Sequence, residues 1–182
     1  MEEMIRAVVQ SLRTSKIKYV VIGGIAASIW GQPRMTLDAD IVIVIPSEKL
    51  SDLTESLSNS GFQVTPNTTK KLLNMLPAKI RYSKRLSVDL RIASYSLDKQ
   101  ALERAIPVSL FGIKLPIASA EDIIVYKAAR FSDLDKADIK AIILRQKKKL
   151  DSRYIMETCQ QLIAETRDEK ISGNLQVILS WL

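Results

Sequence analysis

Two aspartates stand at the head of an apolar run in Arg34-Met-Thr-Leu-Asp38-Ala-Asp40-Ile-Val-Ile-Val-Ile. Residues Ile41 to Ile45 carry no polar side chain, so the run predicts a strand that is buried beyond the acids. In a strand, side chains at i and i+2 point to the same face. Both carboxylates therefore project together, about 7 Å apart by the rise per residue. Two like charges that close need a cation between them or a raised pKa. Leaving them uncompensated at the mouth of a buried strand is costly. A divalent metal is the simplest remedy; a polar strand end paired with nearby lysines is the bland alternative.

Composition narrows the remedy. The chain of 182 residues contains no histidine and one cysteine, Cys159. Nucleophile chemistry that depends on histidine is excluded, as are zinc sites built on His or Cys clusters. Any metal ligands should be oxygen atoms, which points to Mg²⁺ or Mn²⁺. Cys159 has no partner for a disulfide and reads as a small apolar residue packed in a C-terminal helix.

Nearly half the residues are hydrophobic, enough for a real core and against general disorder. No apolar run is long enough to span a bilayer, and Met-Glu-Glu-Met-Ile-Arg lacks the pattern of a signal peptide. The expectation is a soluble, cytoplasmic protein with no membrane partner. The formal net charge of +7 favours polyanionic partners. Between Lys70 and Arg91 there are seven basic residues (Lys70, Lys71, Lys79, Arg81, Lys84, Arg85 and Arg91) and one acid, Asp89.

Spacing predicts a helix over 2–15, a strand Lys18–Ile22, and a helix from Ile25 to Trp30 ending at Gly31. A strand Leu37–Ile45 follows, then a helix from Pro46-Ser47 to about Ser60 with Ser47 as N-cap. Residues 61–65 suggest a short strand, and 66–77 give no assignment. A hairpin is expected from 78–82 and 86–92 around Ser83-Lys84-Arg85, then a helix at 97–104 and short strands near 106–110 and 113–117. From Ser119, a good helix start with Asp122, the chain reads as helical: 120–131, 133–149, 152–166 and 168–182. The fold class is α+β, a mixed sheet in residues 1–118 with a helical subdomain, 119–182, packed on it.

Three further features bear on the acidic pair. Gly23-Gly24 lies between a strand and a helix, where glycine lets a ligand approach the backbone and free helix N–H groups favour phosphate. Taken alone, such a pair is more often just a tight turn, and without a following Lys-Ser/Thr it is not a Walker loop. In Leu86-Ser-Val-Asp89-Leu-Arg-Ile92, alternation puts Ser87, Asp89 and Arg91 on the polar face. Asp89 either forms a salt bridge to Arg91 or Arg81, or joins Asp38 and Asp40 if the two strands are neighbours. Three carboxylates at one point suit two divalent ions over a triphosphate.

Gly-Gly, a spacer, Asp-x-Asp in an apolar strand and a later lone Asp resemble the polymerase-β-like nucleotidyltransferase superfamily. Within it the chain resembles the AbiEii-type nucleotidyltransferases of toxin–antitoxin and phage-defence systems. Asp122-Ile-Ile-Val-Tyr-Lys127-Ala-Ala-Arg130 is similar to that family's Lys-x-x-x-Arg-like helix, with a shorter spacing. Asp135-Lys-Ala-Asp138 is similar to its Asp-x-x-Asp helix, and Arg34 and Thr36 to the Arg-x-Thr before its acidic pair. Where many relatives in the wider superfamily have Gly-Ser, this chain has Gly24, which offers only its backbone.

The resemblance implies a nucleotidyltransferase-like core and transfer of a nucleoside monophosphate from an NTP, such as ATP, to a hydroxyl. Asp38, Asp40 and Asp89 would be catalytic and would hold Mg²⁺ or Mn²⁺. Gly23, Gly24, Arg34, Thr36 and Lys127 would contact the nucleotide. The implied acceptor is a tRNA or other RNA, a protein or a small molecule, and a cognate antitoxin is an implied partner. On the residues alone, Lys127 and Arg130 also fit a solvated helix face, and Asp135 and Asp138 a helix start. The basic stretch 70–91 fits an RNA platform or a charged hairpin edge equally, and Arg145–Lys149 fits a helix C-terminus. A non-catalytic binding module on the same scaffold is the competing function. Oligomeric state is not legible.

Overall fold

The run after Asp40 forms strand β2 (Asp38–Val44), with Ile41, Val42 and Ile43 at most 1% exposed in a computed structural model that describes residues 1–182. Each such side chain removed from water contributes about 1.5–3 kcal/mol, which fixes β2 in the interior. It lies between β1 (Lys18–Ile22), antiparallel to it, and β4 (Ser87–Ile92), parallel to it. Strand β3 (Ala78–Arg81) pairs antiparallel with β4 at one edge. At the other, β6 (Ile113–Ile117) lies parallel to β1 and antiparallel to β5 (Ile106–Leu110). The result is a mixed six-stranded sheet in the order β3-β4-β2-β1-β6-β5, the α+β architecture expected.

Helices cover the sheet. Helix α1 (Glu2–Thr14) buries Met4, Ile5, Val8, Val9 and Leu12 as one stripe and packs on α3 (Leu50–Asn59). The Gly23–Trp30 helix, α2, starts directly at the end of β1, because Gly23 turns the chain with φ of +65°. Further on come α4 (Pro66–Leu73), α5 (Ser96–Glu103), α6 (Ala120–Arg130), α7 (Asp133–Gln146), α8 (Ser152–Thr166) and α9 (Lys170–Leu179). Helices α6 and α7 both pack on α2, and one continuous apolar cluster runs from the sheet through these helices. Cys159 is buried in α8, where burial pushes its thiol up to about 12.

Four local expectations change. Ser47 does not cap a helix: Ser47–Lys49 form a 3₁₀ turn, the Lys49 and Leu50 N–H groups bond to the Pro46 and Ser47 carbonyls, and the α-helix begins at Leu50. Residues 66–73 are helical although they lack a long stripe, since Thr65 caps the helix reciprocally with Thr68 and only Thr68 and Leu72 are buried. Gln63 makes only an isolated bridge to Arg81 rather than a strand. The basic run Lys147–Lys149 lies beyond α7 as a 3₁₀ turn, the helix ending where Lys147 takes a φ of +51°. No helix is long and apolar enough to cross a membrane.

Candidate active site

Register brings the acids together. In the parallel pairing of β2 and β4, Asp40 lies opposite Asp89 and Asp38 opposite Ser87. Alternation then places Asp38, Asp40, Ser87 and Asp89 on one face, the face that opens into a cleft of about 790 Å³. Gly23 and Gly24 reach the same cleft, as do Arg34, Thr36 and Lys127, so every candidate residue named from the sequence lines one cavity.

The three carboxylates have different environments. The Ser87 hydroxyl donates to Asp38, and with Lys79 this holds the Asp38 carboxyl below the usual range despite some burial. Asp40 has no ion-pair partner. Burial, then the charge of Asp89, push its carboxyl upward, while the Gly24 amide pulls it back. Lys79 Nζ lies 3.1 Å from Asp38 Oδ2 and 3.3 Å from Asp89 Oδ2. The ion-pair partner of Asp89 is therefore Lys79, not Arg91 or Arg81. Arg91 turns instead to the buried Asp98 and lies over the Tyr126 ring.

The glycines are required by the site's own side chains. A Cβ on Gly23 would fall 1.9 Å from Asp40 Oδ2, and one on Gly24 would meet Thr36 Oγ1 at 3.0 Å and Arg34 Nη2 at 3.3 Å. Gly-Gly, Arg-x-Thr and Asp-x-Asp are thus one packing unit. Thr36 spends its hydroxyl on the Asp38 carbonyl oxygen at 3.0 Å.

The opposite wall is a buried charge network at the α6–α7 corner. Phe131 turns the chain in the left-handed region, and Ser132 caps α7 with Asp135 as its reciprocal partner. Lys127, 5% exposed, donates to Asp135 at 3.0 Å and ion-pairs with Asp138 at 2.7 Å. Arg130 grips Asp135 with Nε and Nη2, both at 2.7 Å, and Arg34 grips Asp138 with Nε and Nη2, both at 2.9 Å. Burial opposes ionisation of both aspartates, but these cations prevail and both carboxyls are held low.

The solvated-face reading fails for Lys127 but holds in part for Arg130, which is exposed. Lys127 is enclosed, and Arg130, although 70% exposed, is tied to Asp135 and lines the cleft. Asp135 is both a helix-start residue and part of the network.

The sequence marks Lys79 only as part of the basic stretch and Arg130 only as part of the Lys127 helix motif, and assigns neither to the site. For Lys79 a signal existed: a hairpin symmetric about Lys84 pairs Lys79 with Asp89, as found. For Arg130 the helix motif was the signal, but its pairing was not legible, because its partner Asp135 follows the α6–α7 corner.

Hard divalent cations suit this donor set in kind, since every candidate ligand is a carboxylate oxygen. The Lys79 ammonium, within ion-pair reach of two of them, shows that the gap between Asp38 and Asp89 accepts positive charge. The expected meeting of three carboxylates at one point is not found: no group of three acids is gathered closely enough to hold a metal ion.

A mixed sheet presenting carboxylates from two adjacent parallel strands into a cleft agrees with the nucleotidyltransferase-like core that the sequence resemblance implied. The chain belongs to the family described as nucleotidyltransferase of unknown function (DUF6036), whose model matches residues 2–181. Among solved structures, it is similar to an antigenic nucleotidyltransferase-like protein from Paracoccidioides brasiliensis, at 22% identity and a TM-score of 0.51 over 96% of this chain and 92% of that one. It is similar to the antibiotic-resistance factor ANT(2'')-Ia, at 14% identity and 0.55 over 98% and 91%. It is also similar to the lincosamide antibiotic adenylyltransferase LnuA, solved with lincomycin, at 13% identity and 0.55 over 78% and 96%. At these identities the likeness is one of fold. No curated protein matches the sequence.

Proposed function

We propose that this chain is a metal-dependent nucleotidyltransferase that moves a nucleoside monophosphate from an NTP to an acceptor hydroxyl and releases pyrophosphate. One observation carries the reading: Asp40 and Asp89 sit in register on adjacent parallel strands, with Asp38 on the same face, opposite a wall bearing Arg34 and Arg130.

In this reading the acceptor oxygen attacks the α-phosphorus, the bond to pyrophosphate breaks, and the acceptor's proton passes to Asp89. Mg²⁺ or Mn²⁺ held by Asp38, Asp40 and Asp89 would supply charge neutralisation at the phosphates and a lower pKa for the acceptor. Gly23 and Gly24 line the cleft beside Asp40, which takes up the space before Gly23, and would flank the phosphates there. Each arginine has spent two donors on an aspartate and keeps others for phosphate oxygens. Thr36 fixes the start of β2, and Lys127 neutralises the two aspartates that aim the arginines. Residues 1–118 form the catalytic core, and 119–182 supply the facing wall together with Arg34.

The AbiEii-like motifs support a toxin–antitoxin setting in the cytoplasm, where NTPs are present, with a small antitoxin protein as partner. The fold shared with the lincosamide antibiotic adenylyltransferase supports a small-molecule acceptor; tRNA and a protein hydroxyl are the other acceptors that the superfamily resemblance implies.

The test is transfer from α-labelled NTPs with Mg²⁺ or Mn²⁺ to RNA, protein and small-molecule acceptors. Asp38→Ala and Asp40→Ala should each abolish transfer while the circular-dichroism spectrum stays native. Wild-type transfer in either variant would falsify the mechanism. A binding module is the second reading, favoured by the Lys79 bridge that occupies part of the acidic set. Calorimetric NTP binding with no transfer to any acceptor would decide for it.

A further inference from the structure

Lys79 is held where it is by its strand. Ala78 and Ile80, on either side of it, are 1% and 0% exposed, so β3 cannot rotate. The antiparallel register puts Lys79 directly opposite Asp89. Its side chain therefore leaves the sheet on the acidic face, and its ammonium comes to rest between Asp38 and Asp89 at 3.1 and 3.3 Å. Asp40 makes no ion pair beside them, although the charge of Arg130 favours its ionised form. One ammonium thus pairs with two of the three carboxylates in a cleft open enough for a nucleotide.

We propose that the Lys79 ammonium is a resident counter-ion of this site: it competes with a free divalent cation for Asp38 and Asp89, and it gives way when a nucleotide's phosphates arrive to receive it. The inference rests on the metal-dependent reading above and adds an order of events. The cation enters with the nucleotide rather than ahead of it. The physical reason is that an ammonium on a four-carbon stem can swing from carboxylate to phosphate without moving the backbone. Half of the Lys79 side chain is exposed (51%), so the pairs it leaves are screened and weak enough to exchange.

The test measures Mn²⁺ binding by loss of the free-ion electron-paramagnetic-resonance signal, first without nucleotide and then with a non-hydrolysable NTP analogue. It compares the wild type with Lys79→Met, Lys79→Arg and Asp40→Asn. Without nucleotide, Lys79→Met should bind Mn²⁺ roughly three- to tenfold more tightly than the wild type, the size expected for losing two exposed ion pairs. Lys79→Arg, which keeps the charge, should stay near the wild type. With the analogue present, the advantage of Lys79→Met should disappear.

Equal or weaker Mn²⁺ binding by Lys79→Met overturns the inference. If wild-type binding is then still lost in Asp40→Asn, the metal-dependent reading stands without it. An advantage that persists undiminished with the analogue also overturns the inference, because phosphate then plays no part in moving Lys79. Absence of Mn²⁺ binding in every form, with and without the analogue, overturns both readings together.

Discussion

The Asp40 carboxylate fills the space that a side chain on Gly23 would need: a Cβ there would lie 1.9 Å from Oδ2. Gly23 also has φ of +65°, in the left-handed region. A residue that looked like a ligand-approach glycine is first a seat for the site's own acid. Gly23→Ala should add about 1–2 kcal/mol of backbone strain and push Asp40 out of register with Asp89. The expected result is a melting temperature lower by several degrees, at about 2–4 °C per kcal/mol for a chain of this size. Transfer activity should fall at least about a hundredfold, the scale of a misplaced catalytic group. Calorimetric scanning and the labelled-NTP assay check both.

Asp40 should trade stability for function. Burial and the Asp89 charge raise its folded-state pKa above the unfolded value. The folded protein therefore binds this proton more tightly, so the group destabilises the fold once pH rises past the unfolded value near 3.9. The penalty grows until the folded-state pKa is passed and then stays constant. Asp40→Asn should accordingly be more stable than the wild type at pH 7 by urea denaturation, and inactive. A less stable Asp40→Asn would contradict the electrostatic account.

The network at the α6–α7 corner should behave oppositely. Asp135 and Asp138 have lowered carboxyl pKa values. Their stabilisation is present above the unfolded pKa near 3.9 and fades as pH falls from there through the lower folded values. Asp135→Ala leaves Lys127 buried with one partner fewer and Arg130 untethered. It should cost roughly 2–3 kcal/mol, below a fully dry ion pair because the network borders the open cleft. Unfolding followed from pH 7 to pH 3 should show a shallower acid limb in this variant.

Ser119 caps α6 in a reciprocal box with Asp122: its hydroxyl accepts from the Asp122 N–H at 3.2 Å, and the Asp122 carboxylate accepts from Ser119 N–H at 3.1 Å. Ser119→Ala should cost about 1 kcal/mol. Because α6 carries Lys127 and Arg130 but neither touches Ser119, NTP binding measured well below the melting temperature should be unchanged.

The acidic half of the site was legible because its signals are local. Asp38, Asp40 and Asp89 declare their faces through a period of two, and the Ser119 cap is written within four residues. What sequence spacing missed depends on distant elements. Residues 66–73 form a helix whose stability comes from a two-residue contact with the core, too short a stripe to register as periodicity. Lys127 and Arg130 read as solvent-facing on α6 alone, since the aspartates that hold them belong to the next helix.

The chain by itself determined that two carboxylates share a face at the head of a buried strand, that a third alternates onto a polar face, and that any metal there must be bound by oxygen. Those are consequences of side-chain period and residue type. Only the tertiary structure decided that β2 and β4 lie side by side, so that Asp40 meets Asp89. It alone set Lys79 between the acids and turned Arg34 and Arg130 toward the cleft from two aspartates on α7. Strand order and helix corners depend on long-range packing, and no spacing along one strand or one helix encodes which partner will arrive from elsewhere.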